Sequence, residues 1–134
     1  MLTQESKLIW YGVIKGELCD LNTYIKAERG RWQQAAQIKA EETMRCAKDF
    51  SYDQEIKLEP ISQFPVVLNF RWFTKNAKKD ADNVTFAKKF IADGMVLAGV
   101  LPSDNRKHVV LMTDIEMAVD KKNPRVVVEA WTVD

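Results

Sequence analysis

The sequence predicts an α+β fold, in which a mixed β-sheet carries two packed α-helices in the chain order β-α-β-α-β-β. Runs rich in branched and aromatic residues alternate with stretches whose apolar residues recur every three or four positions. The chain has 134 residues, 46% of them hydrophobic and 29% charged. These values suit one domain over residues 1–134 with a core of its own.

The first half of the chain predicts a strand, a loop and a helix. Residues 8–15, LIWYGVIK, are mostly strand formers. Gly16, Asp20 and Asn22 indicate that a loop follows. From Arg31 to Phe50 the pattern is helical. Its predicted stripe is Trp32, Ala36 (or Ala35), Lys39, Thr43 and Cys46.

The second half predicts a strand, a helix and two final strands. Residues 65–75, PVVLNFRWFTK, carry the strongest strand pattern. Residues 83–98 predict a helix that ends at Gly99. Residues 108–120 and 124–134 predict two strands. The connection KKNP between them is short enough for an antiparallel hairpin.

Composition excludes several classes of protein. Cys19 and Cys46 have no CxxC spacing, so neither a disulfide scaffold nor a zinc site is expected. No stretch approaches the ~18 apolar residues of a membrane span, and no leader pattern opens the chain. We therefore expect a reduced cytoplasmic protein without a membrane partner. The sequence has neither a P-loop nor a GxGxxG pattern, so no organic cofactor is expected.

Positive charge is concentrated in residues 71–89, although the whole chain has a net charge of only +1. Six bases and two acids give this segment +6 − 2 = +4, which leaves −3 for the remaining residues. Such segregation is typical of a surface that meets a polyanion. The six bases are Arg71, Lys75, Lys78, Lys79, Lys88 and Lys89.

Two aspartates are candidate metal ligands, and a third acid stands later in the chain. Asp80 and Asp82 lie within the basic run KKDADN, and Asp104 lies in the loop after the second predicted helix. A structural alternative is that Asp82 is the N-cap of that helix and Asp104 a turn residue. Proximity to the helix N-terminus favours each of the paired acids by ~0.3–1 kcal/mol. An EF-hand is excluded, because Val84 and Thr85 stand where that loop needs a ligand and a glycine.

Lys89 is a candidate to offset charge on a phosphate. In a continuous helix, a separation of seven residues from Asp82 is about 700°, which places both residues within about 20° of one face. Lys88 lies about 100° away from that line. The structural alternative for Lys89 is an i, i+4 ion pair with Asp93.

Residues 78–105, KKDADNVTFAKKFIADGMVLAGVLPSDN, resemble the core signature of the RusA-type Holliday junction resolvases of bacteria and their phages. The resemblance implies a homodimeric endodeoxyribonuclease that resolves four-way DNA junctions in recombination and repair, in a bacterial or phage-infected cell. It implies that Asp80, Asp82 and Asp104 gather Mg²⁺, for which Mn²⁺ may substitute, and that Lys89, or Lys88, assists. Flanking phosphates are then expected to contact Arg71, Lys75, Lys78, Lys79 and Lys88.

Two questions stay open at this point. A helix over residues 83–98 spans roughly 24 Å, so Asp82 and Asp104 flank opposite ends of it. Either the loop 99–104 runs back along the helix, or Asp104 comes from the other subunit. The second question is activity. The alternatives are a non-catalytic, structure-specific DNA-binding module, and a metal nuclease that acts on other branched DNA or on RNA.

Overall fold

The computed structural model describes residues 2–51 and 59–133, which form four strands and four helices. The α+β class is confirmed. In chain order the elements are β1 (Leu8–Lys15), α1 (Leu21–Gly30), α2 (Trp32–Ser51), β2 (Val66–Thr74), α3 (Ala81–Thr85), α4 (Lys88–Leu97), β3 (Val109–Val119) and β4 (Arg125–Thr132). No helix in this part of the chain is both long and apolar enough to cross a lipid bilayer.

The strands form one mixed sheet in the order β1-β4-β2-β3. Strand β4 is antiparallel to β1 and to β2, and β2 is parallel to β3. Strands β1, β2 and β3 therefore point the same way. Their C-terminal ends meet at one side of the sheet, which we call the carboxyl edge.

The predicted hairpin between β3 and β4 is wrong, because β2 lies between the two strands. Five consecutive residues of β2, Val66 to Phe70, are buried. Apolar residues on both faces are typical of a central strand, and an edge position would leave one side of β2 unpaired. The short connection after β3 therefore crosses the end of β2.

Helix α1 occupies a segment that the sequence predicts as loop. Asp20 is its N-cap, and the Asp20 carboxylate accepts a hydrogen bond from Thr23 N at 2.7 Å. Tyr24 packs its ring against Phe86 and Phe90, with centroids 5.3 and 5.9 Å away. This short helix is stabilised by its cap and by tertiary packing. Neither of these can be predicted from the periodicity of its own sequence.

Helix α2 confirms the predicted helix to within one residue at each end. Its buried residues are Ala35, Cys46, Ala47 and Phe50. Of the predicted stripe, Cys46 and Ala35 (the alternative to Ala36) are buried. The predictions for Trp32 and Lys39 are wrong, because Trp32 is 71% exposed and Lys39 is exposed as well. Trp32 precedes the first buried residue of α2 by about one helical turn, and a lysine is rarely buried without a partner.

The second predicted helix is divided. Residues 86 and 87 form a turn between α3 and α4, and Phe86 adopts φ −49° and ψ −34° while Ala87 adopts φ −63° and ψ −7°. The helical-phase argument that linked Asp82 to Lys89 assumed one continuous helix and does not apply. Gly99 ends the segment with φ +79°, as predicted.

Helices α2 and α4 approach each other closely at Gly94. A Cβ atom on Gly94 would lie 2.5 Å from Cys46 Cβ and 3.1 Å from Ala47 N. Cys46 is fully buried, and burial is the main reason that the pKa of its thiol rises to about 12. The contact fixes α4, and with it the two lysines at the start of that helix.

Replacing Gly94 with alanine tests this contact. We expect Gly94→Ala to lower the free energy of unfolding by about 1–3 kcal/mol, because the added methyl group must displace packed backbone and side chain. Gly30→Ala is the control, since nothing lies within 4 Å of the added Cβ, and a change within about 0.5 kcal/mol is expected for it. Urea unfolding measures both. Equal losses in the two variants would contradict the packing described here.

Candidate functional site

The loops of the carboxyl edge are hydrogen bonded to one another. Asp120 N donates to Thr74 O at 2.8 Å, which joins the end of β3 to the end of β2. Gly16 N donates to Pro124 O at 2.8 Å, which joins the end of β1 to the turn before β4. Residues 75–89, which follow Thr74 and which we call the basic segment, therefore begin inside a connected set of loops.

Two bases of this segment pair with acids of the loop after β1. Lys79 Nζ lies 2.8 Å from Asp20 Oδ2, and Lys75 Nζ lies 3.9 Å from Glu17 Oε1. The hydrogen bond to Asp20 raises the pKa of Lys79. Burial alone would raise the pKa of Asp20, but hydrogen bonds from Lys79 and Thr23 lower it overall. These pairs attach the segment to the N-terminus of α1.

Asp80 and Asp82 stand at the start of α3 with free carboxylates. The predicted N-cap was Asp82, but the helix begins earlier and Asp80 is the N-cap. The Asp80 backbone oxygen accepts from Asn83 N at 3.1 Å, while its side chain makes no capping hydrogen bond. Both acids are exposed, and neither carboxylate has a hydrogen-bond or ion-pair partner among the described residues. Capping therefore accounts for the position of Asp80 and not for either carboxylate.

Lys89 contacts two acids at once. Its Nζ lies 3.0 Å from Asp93 Oδ1 and 3.1 Å from Asp104 Oδ2. The hydrogen bond to Asp93, followed by the one to Asp104, raises the pKa of the ammonium group. The ion pair with Asp93 is the structural alternative that the sequence predicts for Lys89, whereas the contact with Asp104 was not predicted.

Asp104 reaches Lys89 because the chain turns back after α4. Beyond Gly99, Val100 N and Leu101 N both donate to Met95 O, at 2.9 and 3.3 Å. Val100 and Leu101 are buried, which holds the returning chain against the core. The loop thus runs back within the same subunit.

Lys88 has a separate partner that the sequence did not indicate. Its Nζ lies 2.5 Å from Asp114 Oδ2, and Asp114 Oδ1 accepts from Trp72 Nε1 at 2.8 Å. The pairing register of β2 and β3 shifts by one residue beside Asp114, where residues 70 and 71 of β2 pair with residues 114 and 116 of β3. The position of Asp114 in a strand does not predict a partner from the sequence, because only the folded chain brings Lys88 close to it.

Arg71 lies on the opposite face of the sheet from Trp72, because neighbouring strand residues point to opposite sides. Its guanidinium donates to Glu129 and to Glu116, each at 2.9 Å. These hydrogen bonds raise the pKa of Arg71. The structure therefore does not bring Arg71 together with Lys88, whose partner Asp114 is bonded to Trp72.

Lys78 differs from the other predicted DNA-binding bases. Its backbone N–H donates a hydrogen bond to Asn76 Oδ1 at 3.0 Å, which shapes the turn. Its side chain is exposed, and its ammonium group has no carboxylate partner within the described part of the chain. Lys78 is therefore already available to an anion.

The paired acids suit a hard divalent cation in the chemistry of their donors. Mg²⁺ takes oxygen ligands, commonly one or two carboxylates, and keeps several waters. Asp80 and Asp82 offer two such groups without protein partners. Within residues 2–51 and 59–133, no three carboxylate, imidazole or thiol side chains are grouped so as to hold a metal as they stand. Asp104 faces Lys89 instead.

Comparisons with known proteins supply no assignment. A scan against models of protein families finds no match to this chain, and a search of curated proteins finds none either. Function must therefore be inferred from the residues of the site.

Substitutions of Asp20 test the attachment of the basic segment. Asp20→Ala removes both the cap and the partner of Lys79, and we expect a loss of about 1–2 kcal/mol in unfolding free energy. Asp20→Asn keeps a capping oxygen and should cost about 0.5 kcal/mol. Urea unfolding at neutral pH distinguishes the two variants, and equal losses would contradict a separate contribution from the cap.

The same pair predicts a pH dependence. Because folding lowers the pKa of Asp20, its charged form stabilises the protein above the ordinary value of 3.8, and this contribution is lost as the pH falls through the lower value of the folded state. The difference in stability between wild type and Asp20→Asn should therefore shrink in acid. A difference that grows on acidification would contradict this assignment.

Proposed function

We propose that the chain is a Mg²⁺-dependent endodeoxyribonuclease of the RusA type, which resolves four-way DNA junctions by symmetric phosphodiester hydrolysis. The observation that supports this best is the 3.1 Å contact between Lys89 Nζ and Asp104 Oδ2. It joins the returning loop to the helix that follows the two free carboxylates of Asp80 and Asp82. The resemblance over residues 78–105 assigns catalytic roles to these same four residues.

In this proposal Asp80 and Asp82 hold the cation, while a metal contact of Asp104, which faces Lys89 in the structure, stays a prediction. A bound divalent ion would lower the pKa of a water and offset negative charge at phosphorus. Lys89 stays protonated at neutral pH, since its neighbours raise its pKa, and it stabilises the charge that develops on the phosphate. Asp93 and Asp104 orient the ammonium group. Lys89 is preferred to Lys88 because it contacts Asp104, the loop acid of the resemblance, whereas Lys88 contacts Asp114.

DNA contacts are proposed for the bases of the carboxyl edge and α4. Lys78 is free to meet a phosphate, and the exposed side chain of Lys75 can exchange Glu17 for one, since the ion pair is long and solvated. Lys79 and Lys88 are held by acids at shorter range. For Arg71, a phosphate contact stays a prediction, and it would require the release of Glu116 or Glu129.

A homodimer is proposed because a four-way junction has two-fold symmetry and its resolution takes two symmetric cuts. A C2 dimer presents two identical sites related by the same symmetry. The alternative, a DNA-binding module without catalysis, is favoured by one observation: Asp104 pairs with Lys89, and no three metal-ligating side chains are grouped in the described part of the chain. A metal nuclease acting on other branched DNA or RNA would use the same residues.

Substitution of a paired acid tests catalysis. Asp82→Asn removes a ligand charge, and we expect junction cleavage in Mg²⁺ to slow roughly a hundredfold or more, given the several kcal/mol that a metal supplies to such a reaction. The assay compares a labelled four-way junction with linear duplex, in Mg²⁺ and in chelator. Glu28→Gln is the control, since this exposed acid lies near the C-terminal end of α1 and has no role in the proposed site. Binding without cutting, unaffected by chelator or substitution, would support the non-catalytic alternative.

Mixed dimers test whether one subunit supplies the whole site. Because Asp104 contacts Lys89 of its own chain, we expect a mixture of Asp82→Asn and Asp104→Asn protomers to show no more activity than either parent alone. The measurement is junction cleavage after the two variants have exchanged subunits. Recovery of activity in the mixture would mean that Asp82 and Asp104 act across the dimer.

A further inference from the structure

The turn between β3 and β4, residues 120–124 (DKKNP), is built around one carboxylate. Asp120 Oδ1 accepts from Asn123 N at 3.2 Å, and Asp120 Oδ2 accepts from Arg125 Nη1 at 2.8 Å. Arg125 also donates to Asn123 O at 3.0 Å, and its guanidinium lies 3.9 Å from the centre of the Phe73 ring. The conformation of the turn is therefore specified by its own residues, and the charge of Asp120 is offset by Arg125.

The turn is also held at both of its ends. Asp120 N is bonded to Thr74 O, and Gly16 N is bonded to Pro124 O. Thr74 is directly followed by the basic segment that leads to Asp80 and Asp82. The tip of the turn is thus fixed relative to the beginning of that segment, and it crosses the end of β2.

Two lysines occupy this tip. Lys121 and Lys122 are exposed, and neither ammonium group has a carboxylate partner among residues 2–51 and 59–133. In this they match Lys78 and differ from Lys75 and Lys79, which pair with acids of the same chain. An ordered turn therefore presents two free cations at the carboxyl edge. Exposed lysines often serve only solubility, so the informative feature is the hydrogen bond that ties this turn to Thr74, where the basic segment begins.

We propose that Lys121 and Lys122 form a contact for the phosphate backbone of the nucleic acid bound at the carboxyl edge, alongside Lys78. The proposal rests on the proposed function and extends its DNA-binding surface to a turn outside the resemblance. Neighbouring strands lie about 4.8 Å apart, and each strand of duplex DNA carries one phosphate per roughly 3.4 Å of helix axis. Cations that emerge at the ends of adjacent strands can thus meet a few phosphates of one backbone.

Such contacts position DNA without reading its sequence. The contribution of the turn should therefore be electrostatic, with a defined dependence on salt. Each lost phosphate contact lowers the slope of log affinity against log salt by about 0.9 for duplex DNA. The two lysines together should account for about 1.8 of that slope.

The test compares Lys121→Ala/Lys122→Ala with Lys26→Ala/Lys39→Ala. The control removes the same charge from exposed positions on α1 and α2. Binding of a labelled four-way junction is measured by fluorescence anisotropy over a series of salt concentrations, in chelator so that no strand is cut. The turn variant should bind about tenfold or more weakly at 0.1 M salt, with a slope lower by about 1.8, whereas the control should match wild type.

The outcomes separate this inference from the proposed function. If wild type binds the junction and both double variants have the same affinity and slope, the role of the turn is overturned while the proposed function stands. If wild type binds and only the turn variant shows a lower slope of log affinity against log salt, the phosphate contact is supported. This result does not depend on whether the protein cuts the junction when Mg²⁺ is added. If wild type binds no DNA at any salt concentration, the inference and the proposed function are both wrong.

Discussion

The pairing of β2 on both sides is the constraint on which the rest of the structure depends. This strand is parallel to β3 on one side and antiparallel to β4 on the other, and its first five residues are buried. A strand so placed needs apolar cover, and α4 supplies part of it with Phe90, Ile91 and Met95 in the same core. Its C-terminal end opens into the basic segment. The acids of that segment thus follow an anchored strand, which limits their freedom to move.

The second constraint is the return of the chain after α4. Gly94 lets α4 approach α2, and Gly99 adopts a positive φ that reverses the chain. Burial of the two residues that follow Gly99 then carries the loop back along the helix. Farther on, His108 Nδ1 lies 2.7 Å from Ser103 Oγ, which helps to hold the loop. The contact between Lys89 and Asp104 is a consequence of this packing, and an exposed ion pair of that kind would be too weak to direct it.

Local sequence patterns predicted most of the helices and strands. They failed where the structure is determined by contacts between segments that are distant in the sequence. The bounds of β1, α2 and β2 followed from period and propensity, although, of these strands, burial alternates only along β1 and is continuous over the first five residues of β2. Helix α1 was missed because its stability comes from a cap and from rings on another helix. The order of the strands was missed because a short connection favours a hairpin unless a more apolar strand takes the central place. Asp80 and Asp82 could be proposed from their spacing and Asp104 from the resemblance, whereas Asp20 and Asp114 could not, since their partners lie far along the chain.

The basic segment divides its positive charge between the fold and a ligand. Lys79 pairs with Asp20, whose side chain is only 12% exposed, whereas Lys75 reaches Glu17 at 3.9 Å with most of its own side chain in water. Solvated pairs contribute at most about 1 kcal/mol and weaken with salt. A polyanion can therefore displace Glu17 from Lys75 at little cost, while Lys79 continues to hold α1. Among residues 2–51 and 59–133, no acid pairs with Lys78, so it has none to give up. The net charge of the segment thus overstates the number of bases that can meet DNA, and the position of each carboxylate decides which bases those are.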